Sequence, residues 1–354
     1  MSKNSCTFNF EKDGSESPAR FFLVVYSVAL FLTLGAIFLP ALVSLPNIFR
    51  GEFGAIDYSK FINGAPDERW YLAHDFKGDL EHDVLYYNFE KSIENIRKTD
   101  ILILGSSRVQ FGFHYKTLES FEVRYGVKFF NMGLGYWEGY LFPLLVMEKY
   151  NLNPKMVIVN AEAFSGELTP VAEHIIAQGK FRRGLTFLIR SSFYKDILVL
   201  HSYVPEPVRG LLLLTLRSVY DRVWYRSRTT GMWFKPYASP RFSKSKRIKN
   251  TVENDCKIES QVLENARRFK DEMDKRGTQI VLTLVPHDAS RRNVAEKIAA
   301  HIQVPFIFVD WDDMSTYDGS HLTEESAQHF TERVLRGIEN SPPLFNLIVK
   351  TPLK

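Results

Sequence analysis

Two cysteines, Cys6 and Cys256, are all that the 354 residues contain. They stand far apart and fit no metal-ligand spacing, which excludes a disulfide framework and a Cys/His metal centre. No G-x-G-x-x-G or Walker sequence occurs, so a nucleotide cradled on a glycine-rich loop is excluded and no cofactor is expected. The formal net charge is only +4, too small to point to nucleic acid as a partner. The sequence has no internal repeat and no low-complexity tract. The most informative absence is local: between Phe21 and Phe49 there is no charged residue.

Within that gap Phe21–Leu39 is nearly continuous apolar sequence, close to the ~20 residues a helix needs to cross a bilayer. The run is longer than the roughly 7–15 apolar residues of a secretory signal, and no small-x-small cleavage site follows it. The expectation is an uncleaved transmembrane anchor over 21–45 behind a polar tail over 1–20. Basic residues flank it almost evenly, with Lys3, Lys12 and Arg20 before and Arg50 and Lys60 after, a slight lean towards a cytoplasmic N-terminus. That orientation puts the bulk of the chain on the periplasmic or extracellular side of an inner membrane.

Residues 46–99 read as a lead-in, with Leu85, Phe89, Ile93 and Ile96 at helical spacing across His82–Lys98. The pattern then alternates. Apolar strands at 101–105, 128–131 and 156–160 are separated by helices near 115–125 and 137–150. After residue 250 come a helix at 258–276, a strand at 279–285, a helix at 291–302, a strand at 305–310 and a helix over 324–338 capped by Thr323. Such alternation predicts an α/β fold over 100–340, a parallel sheet between two helical layers, followed by a tail over 341–354. Residues 165–250 interrupt it. They carry a net charge of +11 against −7 for the rest of the chain and read as a helical insertion. Its arginines either face water on a lid or form a surface for anionic lipid or an acidic polymer.

The chemistry lies at strand ends. In an open parallel sheet, ligands bind just past the carboxyl ends of the strands. There the first strand, Ile101–Leu104, runs into Gly105, Ser106 and Ser107. A serine at this turn is a nucleophile or simply a helix cap. Past the last strand stands Asp318-Gly319-Ser320-His321, which is a base with its orienting carboxylate or a turn with a surface histidine. Taken together, Ser107, Asp318 and His321 supply the three residue types of a catalytic triad. His287, after the fourth strand, is a candidate substrate contact. Arg108 binds an anionic group or pairs with a carboxylate. Glu162 meets a sugar hydroxyl or is that carboxylate.

The stretches ILILGSSR, FNMGLG and DGSHL resemble the SGNH (GDSL-type) hydrolase superfamily, over residues 100–164 and 278–338. An N-terminal span followed by GSSR is similar to the membrane-anchored, extracytoplasmic branch that includes teichoic-acid D-alanylation and alginate O-acetylation proteins. The resemblance implies a flavodoxin-like α/β/α fold and Ser107 as nucleophile, with Asp318 and His321 completing the triad. It also implies an oxyanion hole with the amide of Gly133 or Gly135 and either Asn160 or no residue as third donor, because VNAEAF replaces the family's G-x-N-D block. The implied activity is that of a serine esterase or O-acyltransferase on acyl, foremost acetyl, groups of a cell-envelope polysaccharide, without metal. A transferase would need an integral-membrane acyl-donor protein as partner. The departure at G-x-N-D leaves a second expectation: a catalytically inactive member that binds polysaccharide or scaffolds an acylation complex.

Overall fold

The structure, a computed structural model, describes residues 22–33, 35, 49–57, 69–75, 78–203, 223–235, 245–248 and 257–349. Its centre is a five-stranded parallel sheet. In chain order the strands are β1 (Ile101–Gly105), β2 (Phe129–Gly133), β3 (Met156–Asn160), β4 (Gln279–Thr283) and β5 (Phe306–Ile307), arranged 2-1-3-4-5. Every residue of β1, β2 and β3 is buried, as continuous apolar strands between two helical layers must be. Alternate side chains feed two cores. Ile101, Ile103, Phe129 and Ile158 pack with Phe121 of α2 (Tyr115–Tyr125) and with Phe330 and Val334 of the helix Glu324–Glu339. Leu102, Leu104, Phe130 and Val159 pack with Phe142 of Leu141–Tyr150 and with Phe269 and Met273 of Ser260–Arg276. A one-residue slip of any strand would exchange these two sets, so the register is firmly specified.

The flanking segments fold differently from expectation. His82–Lys98 is not one helix but two short ones, Glu81–Tyr87 and Ser92–Ile96. Asn88 ends the first in the left-handed region (φ 56°), and its side-chain oxygen accepts the Ile93 N–H at 3.1 Å. The tail after 341 holds a further helix, Pro342–Ile348, that buries Leu344 and Ile348 in the core. Among its described residues the basic segment is helical in its first part, at Pro170–Gln178 and Lys180–Tyr203. Later it contributes strands Trp224–Ser227 and Trp233–Phe234, which join Arg69–Asp75 and Ile56–Asp57 of the lead-in to form a second, antiparallel sheet.

Neither reading of the basic segment accounts for four of its arginines, which pair with carboxylates of the lead-in. Arg183 grips Asp83 with two nitrogens, at 2.6 and 2.5 Å, and Arg190 holds Asp75 in the same two-pronged way. Arg226 meets Glu81 at 2.7 Å, both fully buried, and Arg228 meets Glu52 at 3.0 Å. Bidentate guanidinium–carboxylate pairs fix geometry as well as charge. Part of the charge asymmetry seen along the sequence is therefore complementarity between two segments that fold together.

Beside the second sheet Glu90 is fully buried. One carboxylate oxygen accepts the Gly54 N–H at 2.5 Å, and the other has no partner among the described residues. Burial pushes this carboxyl up to about 8. The folded chain keeps the proton where the unfolded chain, with an ordinary value of 4.5, has released it. Stability is therefore greatest below the unfolded value and falls as pH rises towards 8. At about 1.4 kcal/mol for each tenfold difference in proton affinity, the loss amounts to several kcal/mol. Glu90→Gln is expected to flatten the decline of the urea midpoint between about pH 5 and 8. A decline as steep as the parent's would remove Glu90 as its origin.

Of the anchor expected over 21–45, residues 22–33 and 35 are described and the rest lies outside the described residues. Residues 22–33 are helical with apolar side chains exposed, Phe22 at 69% and Phe31 at 78%. No helix among the described residues is long and apolar enough to cross a membrane.

Candidate active site

β1 ends at Gly105 with φ 153°, where a Cβ would lie 2.5 Å from Val109 Cγ2 and 3.2 Å from Asn160 Cβ. Glycine is what allows the chain to leave the sheet and enter α1 (Ser107–Gly112) at once. The two serines of this turn take different parts. Ser106 is the N-cap, its Oγ accepting the Arg108 N–H at 3.4 Å. Ser107 instead directs its Oγ to Nε2 of His321, 2.9 Å away. His321 Nδ1 in turn lies 2.8 Å from Asp318 Oδ2.

The loop that carries Asp318 and His321 is tightly closed. Thr316 and Leu322 bridge its base, and the Tyr317 N–H donates to the His321 carbonyl at 3.0 Å. Asp318 Oδ1 accepts the N–H groups of Ser320 and His321, at 3.0 and 2.9 Å. Partial burial works to raise the Asp318 carboxyl. The ring hydrogen bond and charge of His321, with those two N–H groups, outweigh it and hold the carboxyl well below the usual carboxylate range. Asp318 is thus an anion that accepts from Nδ1 of His321, an arrangement that in the neutral imidazole turns Nε2 to the Ser107 hydroxyl as an acceptor. Tyr317 stacks on the imidazole at 5.5 Å between centroids, and Phe111 meets it edge-on at 5.3 Å. Two aromatic rings thus pack against the imidazole.

Arg108, Glu162 and His287 form a second cluster beside the first. Arg108 Nη1 donates to Glu162 Oε2 at 2.6 Å, and its Nε donates to Ser320 Oγ at 3.1 Å. The Ala289 N–H donates to Nδ1 of His287, which leaves the ring proton on Nε2 to donate to Glu162 Oε1 at 2.7 Å. Burial tends to raise the Glu162 carboxyl, but the His287 hydrogen bond and the Arg108 charge bring it below its ordinary value. Of the readings left open, Arg108 is the one that pairs with a carboxylate and Glu162 is that carboxylate. Among the described residues, only His321 hydrogen-bonds the Ser107 hydroxyl.

The oxyanion expectation needs correction. Gly133 N–H donates to Asn131 Oδ1 at 2.7 Å, and Gly135 N–H donates to buried Glu81 at 2.8 Å. Both amides are spent inside the protein. Gly133 is required for packing, since a Cβ there would sit 2.4 Å from the backbone nitrogen of Gln110. Asn160 accepts the Val285 N–H at 3.1 Å and donates to Glu162 at 3.2 Å, so it ties β3 to the segment after β4. Its amide nitrogen carries two hydrogens, and this bond engages one.

A cleft of about 590 Å³ opens beside Ser107, within the range of ligand sites. The neighbours of Ser107 on both sides, Ser106 and Arg108, line it with Glu162, His287 and Trp137. Trp137, Tyr317 and Phe111 escaped the sequence reading. Each sits within a few residues of a recognised motif, yet an aromatic there reads equally well as core. Among the described residues no cluster of His, Cys, Asp and Glu could hold a metal ion. Comparison with protein-family models, with curated proteins and with solved structures finds no match.

Proposed function

We propose that this chain is a serine esterase or O-acyltransferase of the SGNH type, with a flavodoxin-like α/β/α core. It is anchored in the inner membrane by residues 21–45 and acts outside the cytoplasm on acetyl or similar acyl groups of a cell-envelope polysaccharide. The observation that carries this reading is the hydrogen-bonded series Asp318–His321–Ser107, drawn from loops more than two hundred residues apart. The 2-1-3-4-5 strand order, which flavodoxin-type sheets share, supports the fold assignment. The exposed apolar residues of 22–33 support the anchor.

In the reaction, Ser107 Oγ attacks the ester carbonyl carbon while its proton passes to His321 Nε2. The C–O bond to the sugar breaks and the departing oxygen takes that proton. Water or a second sugar hydroxyl then attacks the acyl-enzyme, giving its proton to His321, which returns it to Ser107 as the acyl group leaves. The oxyanion is served by the Ser107 N–H, which has no intrahelical carbonyl because it opens α1, and by the second amide hydrogen of Asn160. In the transfer direction the acyl group arrives from an integral-membrane donor protein.

The engagement of Gly133 and Gly135 favours a second reading, a non-catalytic chain that binds polysaccharide or scaffolds an acylation complex. A fluorophosphonate probe separates the two. Membranes carrying the full chain are expected to label it at Ser107, the label moving to the soluble fraction when 21–45 is removed. Labelling no greater than in a Ser107→Ala chain would establish the scaffold.

A further inference from the structure

We infer that Trp137 is a preformed platform for a sugar ring, the subsite that seats the glycan while Ser107 acts on one of its acyl groups; this deepens, and rests on, the function proposed above. Trp137 is 75% exposed and lines the cleft next to Ser106 and Arg108. The Arg108 guanidinium carbon stands 4.8 Å from the centre of its ring and covers one face. Arg108 is itself fixed by Glu162 and Ser320. The indole is therefore held at a set angle, close to the nucleophile.

The backbone reinforces this. Tyr136 and Trp137 are consecutive and both left-handed, with φ of 56° and 63°. Neither is glycine, so the surrounding structure must hold each in a sparsely populated conformation. The loop is held in place by hydrogen bonds before and after it. Leu134 N–H donates to the Gly105 carbonyl at 3.0 Å, Gly135 N–H to Glu81 at 2.8 Å, and Tyr140 N–H to the Ala163 carbonyl at 3.1 Å. A strained, pinned turn thus presents a large aromatic to solvent, where burial would be the ordinary outcome for tryptophan.

The chemistry selects the occupant. A pyranose offers one face of C–H groups with slight positive charge and a rim of hydroxyls. An indole offers a broad apolar face with negative potential, and the cationic guanidinium behind it leaves one side for the ligand. The exposed Lys257 and Glu259 line the same cleft and are able to meet rim hydroxyls. An acyl chain alone would have no use for such polar residues around its platform.

The test uses the full chain in detergent micelles and an array of partly O-acetylated six-residue oligosaccharides with gluco, xylo and mannuronate backbones. In a Ser107→Ala background, which prevents turnover, at least one is expected to bind by titration calorimetry. Trp137→Ala weakens that binding about tenfold or more, at the upper end of what an aromatic face contributes. Trp137→Phe, which keeps a ring, restores most of it. With Ser107 present, the Trp137→Ala loss in kcat/KM on the oligosaccharide exceeds that on p-nitrophenyl acetate by about tenfold. Equal losses on the two substrates, no Trp137-dependent binding anywhere in the array, or failure of phenylalanine to rescue would each overturn the platform. Failure of the enzyme reading appears separately, as p-nitrophenyl acetate hydrolysis indifferent to Ser107, and the binding arm still decides the platform.

Discussion

Ser107→Ala is expected to lower kcat/KM on p-nitrophenyl acetate by at least about 10³, and His321→Ala by a similar factor. The two residues act through one proton, passed over the 2.9 Å between Oγ and Nε2. The double variant should therefore be no worse than either single one. Asp318→Asn is expected to cost about 10⁴, as it does where a triad aspartate sets the histidine tautomer. The reason is visible in the hydrogen bonds. An asparagine amide facing Nδ1 would place a donor against a donor, or turn the imidazole so that its proton faces Ser107. Far-UV dichroism of each variant checks the fold; backbone bonds close the base of loop 317–321, and asparagine keeps an oxygen for the Ser320 and His321 N–H groups that Asp318 Oδ1 holds. A Ser107→Ala rate within twofold of the parent would end the nucleophilic account. Equal but independent losses, multiplying in the double variant, would show that the histidine acts elsewhere.

The parallel core was legible because its signal is local. Ile101–Leu104 and Met156–Val159 are continuous apolar runs, and burial on both faces asks for nothing more. The meeting of Ser107, His321 and Asp318 was legible for a related reason: two short loops at strand ends carry the three residue types, and the sheet aligns those ends. The second sheet was not legible. Its strands are two to seven residues long and pair segments about 150 positions apart, with Trp70 opposite Ser227. No periodicity in either segment announces the other. The arginines that bind them read along the chain as a basic surface, because charge counts carry no information about partners. The glycines failed similarly. Whether the amide of Gly135 faces a substrate depends on Glu81, which enters from the lead-in and cannot be placed beside FNMGLG without the fold.

That same carboxylate gives the second large effect. Glu81 is wholly buried and accepts from Gly135 N–H at 2.8 Å, Gln110 Nε2 at 3.1 Å and Arg226 Nη1 at 2.7 Å. Gln110 belongs to α1, the helix that begins at Ser107, so Glu81 joins that helix to the loop at 133–135. Arg226 also donates to the carbonyls of Gly133 at 2.9 Å and Gly231 at 2.7 Å and to that of Asn131. Arg226→Met leaves an uncompensated buried carboxylate and is expected to destabilise the fold by about 3–5 kcal/mol in urea titration. Glu81→Gln takes away the negative charge that the buried guanidinium meets and should cost nearly as much. The double variant removes both charges but still orphans the carbonyls that Arg226 served, at about 1–3 kcal/mol each when unsatisfied. It should therefore recover only part of the loss, and that part measures the charge coupling. Activity gives an independent reading at temperatures where every variant is folded. With the anionic anchor gone, Gly135 and Gln110 are held more loosely, and the rate on p-nitrophenyl acetate falls in the double variant although its stability has partly returned. A double variant as unstable as the sum of the single ones would mean that the pair is not coupled. The link between the two sheets and Ser107 would then have to run through packing alone.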